Sequence, residues 1–252
     1  MRLTVLGAGT LVPHADRGNP GFVVNTCGES LLFDSGAGTL YRAVRAGLNW
    51  QEISHIFYTH YHPDHTLDLV SFLFAANYTP GAEREEPLYV YGPVGLEDFY
   101  NRVSAAWPPV APKNYRLNLC ELAPEEIVEG DAGWEIKAAP MEHSVTGALA
   151  YRVSDGSKSL VLSGDTQYCE ALVNITRSAD LLVCECSTDD RHSTPGHLSP
   201  ESVARVARES GVKKILLTHV YPPLDPAELA RQCEQMCEAT VEPARDLEVY
   251  KV

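Results

Sequence analysis

The order of hydrophobic and polar residues along the chain predicts many short strands alternating with short helices. Runs of β-branched and apolar residues between clusters of Gly, Pro and Asn are typical of strands bounded by turns. Apolar residues at a four-residue spacing indicate helices instead. The predicted strands are Arg2–Leu6, Phe22–Thr26, Ser30–Asp34, Ile53–Thr59, Leu88–Tyr91, Tyr115–Glu121, Trp134–Pro140, Ala148–Val153, Ser159–Leu162, Leu181–Cys184 and Lys214–Thr218. The predicted helices are Leu40–Leu48, Leu67–Tyr78, about Val94–Ala106, Glu170–Thr176, Pro200–Ser210 and Pro226–Cys237. This alternation favours a layered sandwich with helices outside.

Length and composition are those of an ordinary folded protein. With 252 residues, of which 44% are hydrophobic, the chain can build one large core, so we expect a single domain over residues 1–252. The Pro-rich stretch at residues 107–112 cannot continue a helix. We expect a loop there, and whether it acts as a lid is left open. No apolar run is long enough to span a bilayer, and the N-terminus lacks a signal peptide, so a cytoplasmic protein without membrane contact is expected.

Three of the nine histidines fall within the six residues His60–His65. Packing does not explain such a cluster, because buried imidazole nitrogens need partners and protonated rings repel one another. Side chains two residues apart in an extended segment point to the same side, so His60 and His62 are placed to grip one metal ion. Asp64 and His65 are displaced around the turn toward a second ion. Imidazole and carboxylate ligands suit zinc, iron or manganese.

The order His-x-His-x-Asp-His after an apolar strand resembles the signature of the metallo-β-lactamase superfamily. Later candidates follow the order of that family's remaining ligands, because His143, Asp165 and His219 each come after a predicted strand. The resemblance implies class α/β (α+β) with a four-layer αββα sandwich. It also implies two divalent ions, zinc first, with manganese or iron as alternatives. By that likeness, the first ion is held by His60, His62 and His143, the second by Asp64, His65 and His219, and Asp165 bridges the two.

Two further acidic residues are candidates for supporting this site. Asp34 stands where the superfamily has an aspartate that can orient a liganding imidazole, and a turn carboxylate is the alternative. Glu185 follows the strand that ends at Cys184 and is a candidate for the same role. A capping or buried, hydrogen-bonded acid is the alternative for Glu185.

His197 precedes the Ser199-Pro200 start of a predicted helix. The segment is similar to a motif of the ribonuclease Z-like branch, in which a histidine faces the scissile phosphate. Helix capping explains Ser199 and Pro200 but not the histidine. We therefore expect the imidazole to protonate a leaving oxygen or offset developing charge. Two departures stand against tRNA processing. Residues 78–134 hold no long Gly/Pro-rich arm, and Val161 stands four residues before Asp165, where those members tend to have a glutamate that could partner the histidine.

These features predict a metal-dependent hydrolase, foremost a phosphodiesterase that uses a metal-bridging hydroxide. Asp64 and His197 are the predicted catalytic residues. Other hydrolases could use the same ligands, namely a thioesterase, a lactonase or an arylsulfatase-like enzyme. From other classes, a mononuclear iron oxidoreductase similar to persulfide dioxygenases and a non-catalytic binding protein remain alternatives.

The charge of the chain bears on its partners. The formal net charge is −14, and the basic residues are scattered, so the field of the protein repels polyanions. This predicts a small-molecule substrate, such as a small or cyclic phosphodiester, and argues against an extended nucleic acid. A homodimer is left open.

Overall fold

Fourteen strands form two sheets of seven in the computed structural model, which describes residues 1–252. The first sheet has the order β14-β1-β2-β3-β4-β5-β6. Its strands are β1 (Arg2–Gly7), β2 (Gly21–Thr26), β3 (Glu29–Ser35), β4 (Ile53–Phe57), β5 (Leu88–Pro93), β6 (Leu117–Leu122) and β14 (Val249–Lys251). Strands β3 to β6 run parallel to one another. Their carboxyl ends therefore meet at one edge of the sheet.

The second sheet repeats this arrangement with the order β13-β12-β11-β10-β9-β8-β7. Its strands are β7 (Ile127–Glu129), β8 (Glu135–Pro140), β9 (Leu149–Ser154), β10 (Ser159–Leu162), β11 (Leu181–Glu185), β12 (Lys214–Thr218) and β13 (Thr240–Pro243). Strands β10 to β13 are parallel. The loops that follow β10, β11 and β12 thus share one edge as well.

Helices cover the outer face of each sheet. The helices are α1 (Thr39–Arg45), α2 (Pro63–Thr66), α3 (Leu69–Tyr78), α4 (Leu96–Ala106), α5 (Glu170–Thr176), α6 (Pro200–Ser210) and α7 (Pro226–Met236). One buried cluster joins α1, α3 and α4 to the first sheet, and another joins α5, α6 and α7 to the second. A third lies between the sheets. The order helix, sheet, sheet, helix confirms the predicted αββα sandwich.

The layer between the sheets is rich in aromatic side chains. Phe57 stacks on Phe33 and on Tyr91, with ring centroids 5.0 and 4.5 Å apart. Tyr151, from the second sheet, meets Phe57 edge-on at 5.6 Å. Aromatic pairs in these geometries add to the gain from burial. This packed layer holds the two sheets together beneath the loops at their edge.

The hydrophobic pattern does not predict β7, β13 and β14. Each is three or four residues long and forms the edge of a sheet. An edge strand has one side open to solvent, so its alternation of apolar and polar residues is weak. β7 and β14 contain no buried residue at all.

Besides shifts of up to about three residues at the ends of elements, two predicted segments differ from the structure. The helix expected over Leu67–Tyr78 begins at Leu69, and the residues before it form the separate turn α2. The Pro-rich stretch contains a 3-10 turn, Pro108–Val110, because proline is accepted in a first helical turn. The Asn77 side-chain amide donates to Pro109 O at 2.9 Å and to Ala111 O at 2.8 Å, which ties this segment to α3. The longest helices have 11 residues, which is too short for a helix to span a bilayer.

Candidate metal centre

The histidine cluster lies where β4 turns into α2. His62 is extended (φ −65°, ψ 150°), as the residue before a proline prefers, and Pro63 begins α2. The single turn of α2 carries Asp64 and His65 inward, where both are buried. The sequence His60–His65 therefore directs four donor side chains into one space by local geometry alone.

Three donors arrive from separate loops of the second sheet. His143 follows β8, Asp165 follows β10 and His219 follows β12. His219 has φ 57°, a left-handed conformation that is uncommon for residues other than glycine. Such a conformation at a strand end is typical of functional sites, where the surrounding structure holds it in place.

A close approach between the sheets brings Asp165 to the histidines. Gly164 precedes it with φ 59°, and a Cβ atom at Gly164 would lie 2.7 Å from Thr59 Cβ. A side chain at this position would push the β10 loop away from the residue before His60. Glycine is therefore required here both for conformation and for space.

The donors form two groups that meet at Asp165. Within each group, the candidate ligand atoms lie within 4.8 Å of one another. Asp165 Oδ2 is 3.8 Å from His60 Nε2, and Asp165 Oδ1 is 3.5 Å from His65 Nε2. The first group, here called the outer group, is His60, His62, His143 and Asp165; the second, here called the inner group, is Asp64, His65 and His219.

Three imidazole nitrogens converge in the outer group. His62 Nδ1 is 3.0 Å from His60 Nε2 and 3.2 Å from His143 Nε2. A tetrahedral ion bound at zinc–nitrogen distances of 2.0–2.1 Å places its ligand atoms about 3.3 Å apart. Burial, reinforced by the neighbouring histidines, holds the pKa of His60 well below its ordinary value. The neutral imidazole is the form that binds metals, so the residues fit an ion.

The inner group fits an ion for a different reason. His65 Nε2 is buried and has no hydrogen-bond partner. His219 Nε2 lies 3.2 Å from Asp64 Oδ2 and 3.4 Å from Asp165 Oδ2. Burial opposes the charge on Asp165, yet the surrounding His219 and His65 hold its pKa well below the ordinary value. An anionic carboxylate facing an orphaned imidazole nitrogen is the donor set of a metal site.

Asp34 orients the histidines of the first sheet. Its Oδ2 accepts from His65 Nδ1 at 2.8 Å and from the Thr59 hydroxyl at 2.9 Å. Because that hydroxyl gives its one proton to Asp34, it accepts from His60 Nδ1 at 3.0 Å. Both rings are thereby held with Nε2 facing the site. Asp34 thus contacts two candidate ligands, His65 directly and His60 through Thr59, and no pattern in the sequence indicated the part of Thr59.

Glu185 has a matching arrangement in the second sheet. It is fully buried at the end of β11, and its Oε2 accepts from the Ser187 hydroxyl at 2.6 Å. That hydroxyl in turn accepts from His219 Nδ1 at 2.9 Å, which leaves His219 Nε2 free to face the inner group. Ser187 is a second residue that the sequence reading missed. Its spacing of two from Glu185 was the available signal, since residues two apart in an extended segment share a side, and Ser187 comes directly after β11.

His197 is the other partner of Glu185. Glu185 Oε1 accepts from His197 Nδ1 at 3.0 Å. Burial disfavours the charged imidazole, but the hydrogen bond and charge of Glu185 outweigh it and raise the pKa of His197. The expectation that His197 lacks an acidic partner because Val161 precedes Asp165 is therefore wrong. The partner comes from β11, the strand next to β10, and only the sheet brings it close.

His197 also lies against both donor groups. Its ring is stacked on His219 at 5.8 Å between centroids and meets His143 edge-on at 4.9 Å. A nitrogen of His197 lies within 4.8 Å of donor atoms of Asp165 and His219. The imidazole therefore faces the space in which the two groups converge.

Residues 29–220 match the family described as the beta-lactamase superfamily domain. The chain belongs to the beta-lactamase superfamily. A ribonuclease Z from Mycolicibacterium gilvum is 30% identical and aligns with 90% of this chain and 87% of its own length. Another, from Methanosarcina acetivorans, is 28% identical over 87% of each chain.

Solved structures agree with these relatives. The short form of human tRNase Z is 26% identical, with a TM-score of 0.80 over 100% of this chain and 99% of its own. The metallo-β-lactamase fold protein YhfI from Bacillus subtilis shares the fold, with 24% identity, a TM-score of 0.86 and coverage of 99% and 98%. The superfamily member described here is thus a metal-dependent hydrolase of the ribonuclease Z-like branch.

The prediction about the substrate is wrong. We expected a small molecule and argued against an extended nucleic acid, but the relatives matched over about nine-tenths of the chain are ribonucleases. The net charge of −14 does not describe the charge at the site. Net charge sums the entire surface, whereas nucleic acids are bound through a limited number of phosphate contacts whose charge is local.

Proposed function

We propose that this protein hydrolyses phosphodiester bonds of RNA, with two divalent ions, zinc foremost, held by the outer and inner groups. The observation that carries the proposal is the pair formed by Glu185 and His197 beside the candidate ligands. Hydrolysis of an activated ester does not require a held acid at this point. Cleavage of an RNA strand expels a poorly stabilised alkoxide, and such a leaving oxygen gains most from a proton.

The ligands follow from the two groups of donors. His60, His62 and His143 would hold the first ion. Asp64, His65 and His219 would hold the second, with Asp165 between them. Bound there, the ions would lower the pKa of a water molecule and offset charge on the phosphoryl oxygens.

The protein's own groups divide the remaining work. Asp64 is buried, and its Oδ2 accepts from Leu11 N at 3.2 Å, which fixes the carboxylate and lets it orient the attacking water. His197, with Nδ1 bound to Glu185, presents Nε2 to the leaving oxygen and donates a proton there. Asp34 and Glu185 keep the rings aligned. The names of the matched ribonucleases Z and of human tRNase Z support RNA as the substrate and tRNA as the first RNA to test.

The test is a cleavage assay on zinc-loaded and manganese-loaded protein. The substrates are a transfer RNA with single-stranded extensions, an unstructured oligoribonucleotide and a DNA of the same sequence. We expect cleavage of RNA that stops when a chelator removes the metal. Absence of RNA cleavage under both metals would contradict the proposal.

His197→Ala tests the chemical role within the same assay. Turnover of RNA should fall by about 10²- to 10⁴-fold, the scale of general acid catalysis. The loss should be smaller for bis-p-nitrophenyl phosphate, because p-nitrophenolate leaves without a proton. Equal losses for both substrates would assign His197 to phosphate positioning instead. His14→Ala is the control, since His14 is exposed and belongs to neither donor group.

A further inference from the structure

A cavity of about 430 Å³ opens beside the metal centre. One wall is the segment from Ser187 to Thr194, which follows β11. The other is the turn Tyr221–Leu224, which follows the candidate ligand His219. His197 and Ser187 belong both to this cavity and to the centre described above. The cavity is therefore continuous with the site of reaction on the side of His197.

Tyr221 presents an aromatic ring at the junction. Its ring centroid lies 5.6 Å from that of His219 and 6.2 Å from that of His197, with both contacts edge-on. The side chain is half-buried and lines the cavity. Part of the ring is therefore accessible to a flat ligand that lies next to His197.

Hydrogen bonds hold the backbone that carries this ring before any substrate arrives. Tyr221 N donates to Ser187 O at 3.4 Å, and Leu224 N donates to Tyr221 O at 3.0 Å, which closes a turn. The guanidinium of Arg17 donates to Val220 O at 3.2 Å from the opposite side. A preformed surface of this kind spares a ligand the entropy of ordering it.

The lining of the cavity distinguishes between classes of ligand. Pro222, Pro223 and Leu224 supply apolar surface, and Thr188 and Thr194 supply polar groups. Asp189 is the carboxylate of the lining and is paired with His192, His197 stands at the border with the metal centre, and no lysine or arginine lines the cavity. A phosphate group in the cavity would meet a carboxylate and no lysine or arginine to hold it. A planar, uncharged heterocycle with a polar edge fits both kinds of wall.

We propose that this cavity binds the nucleobase of the leaving nucleotide, stacked on Tyr221. The inference rests on the proposed hydrolysis of RNA. His197 stands between the cavity and the candidate ligands and serves the leaving oxygen, so the sugar bonded to that oxygen directs its base into the cavity. Stacking on an aromatic ring tolerates any base, because every base has a π face. Tyr221 is then a determinant of affinity for nucleotides and is not a catalytic residue.

The test combines a protein change with a substrate change. Wild type and Tyr221→Ala are compared on an RNA whose cleaved linkage has been mapped, and on two forms of it that lack the base on the leaving or on the attacked side. For the intact RNA, kcat/KM of Tyr221→Ala should fall by about 5- to 150-fold, the scale of one base stacked on an aromatic ring. On RNA without the leaving-side base, the same change should cost less than about 3-fold. Tyr221→Phe should keep most of the discrimination between the intact and the leaving-side abasic RNA.

Controls separate this proposal from the one on which it rests. Tyr41→Ala removes an exposed tyrosine on α1 and should behave as wild type, and metal content and circular dichroism verify that Tyr221→Ala is folded and loaded. Equal losses on intact and leaving-side abasic RNA would overturn the cavity assignment while RNA cleavage itself stands. Coupling with the attacked-side base alone would overturn it too. Failure of the wild type to cleave any RNA would overturn both proposals.

Discussion

Asp34 and Glu185 make equivalent hydrogen-bond arrangements, one in each sheet, but the histidines that they contact have different proposed roles. Each is a buried carboxylate at the end of a parallel strand, and each accepts directly from one histidine and through a hydroxyl from a second. Asp34 serves His65 and, through Thr59, His60, which are both candidate metal ligands. Glu185 serves His219 through Ser187, but its direct partner is His197. One carboxylate therefore contacts only candidate ligands and their hydroxyl partner, and the other is shared between a candidate ligand and the proposed proton donor.

The physical setting explains why carboxylates are used at both places. A buried imidazole has two nitrogens, and the nitrogen that carries the proton is set by the hydrogen bond made by the other. An anion behind Nδ1 keeps the proton there and leaves Nε2 to face the ion. At His197 burial lowers the pKa of the imidazole, but the hydrogen bond and the charge of Glu185 outweigh it and raise the pKa.

Asp165→Ala should have the largest effect on metal binding and turnover, because Asp165 contacts both the outer and the inner group of donors. Its oxygens lie 3.4–3.9 Å from nitrogens of four histidines. We expect bound metal to fall from two ions to one or fewer and hydrolysis to fall by about 10³-fold or more. Elemental analysis after reconstitution and turnover on RNA check this. Two ions bound as tightly as in the wild type would remove Asp165 from its assigned place.

Asp34→Asn should have the second largest effect, and the property that changes should be the affinity for zinc. An amide cannot match the carboxylate as an acceptor for both His65 and Thr59, so the rings of His65 and His60 lose their alignment. Zinc affinity should drop by about 10- to 100-fold, the usual effect of losing the partner of a liganding histidine. Competition with a chromophoric chelator measures it.

Asp68→Asn is the matched control for Asp34→Asn. Asp68 is also buried in the first half of the chain, but its carboxylate accepts from Leu40 N and the Ser71 hydroxyl and touches no candidate ligand. The variant should lose stability and keep its zinc affinity. Equal loss of zinc affinity in both variants would mean that Asp34 acts through folding alone.

Glu185→Gln should have the smallest effect on zinc affinity, and it should lower kcat separately. We expect less than about 10-fold loss of zinc affinity, because Ser187 still accepts from His219. The additional fall in kcat should vanish when His197 is already alanine, since the two residues form one unit. Turnover and zinc affinity of the two single variants and the double variant test this. Full additivity of the losses in kcat would break the proposed link between Glu185 and His197.

The first half of the site could be predicted from sequence because its geometry is local. His60, His62, Asp64 and His65 lie within six residues, so an extended segment and one helical turn are sufficient to place them. His143, Asp165 and His219 are spread over 77 residues, and only the family order linked them to the cluster. The structure brings all seven into two adjoining groups. Their roles as ligands remain predictions that the metal measurements address.

The prediction of a small-molecule substrate is wrong because the net charge of the whole chain does not describe the charge at the site. The acidic partner of His197 was expected close to Asp165 in the sequence, after β10. It comes instead from Glu185 at the end of β11, because β10 and β11 are neighbours in the sheet. In both cases the missing information was which residues are near one another.

The sequence by itself predicted the alternation of strands and helices and the local cluster of donors, which depend on hydrophobic periodicity and on spacings of a few residues. The αββα sandwich and the expected place of His197 in the site followed from the resemblance to a family. Only the tertiary structure decided that Thr59 and Ser187 each connect a carboxylate to a histidine by hydrogen bonds, that Glu185 pairs with His197 and that Tyr221 borders a cavity. Each of these contacts joins residues of different loops or strands, and such loops meet because parallel strands end at one edge and the aromatic layer holds the two edges together.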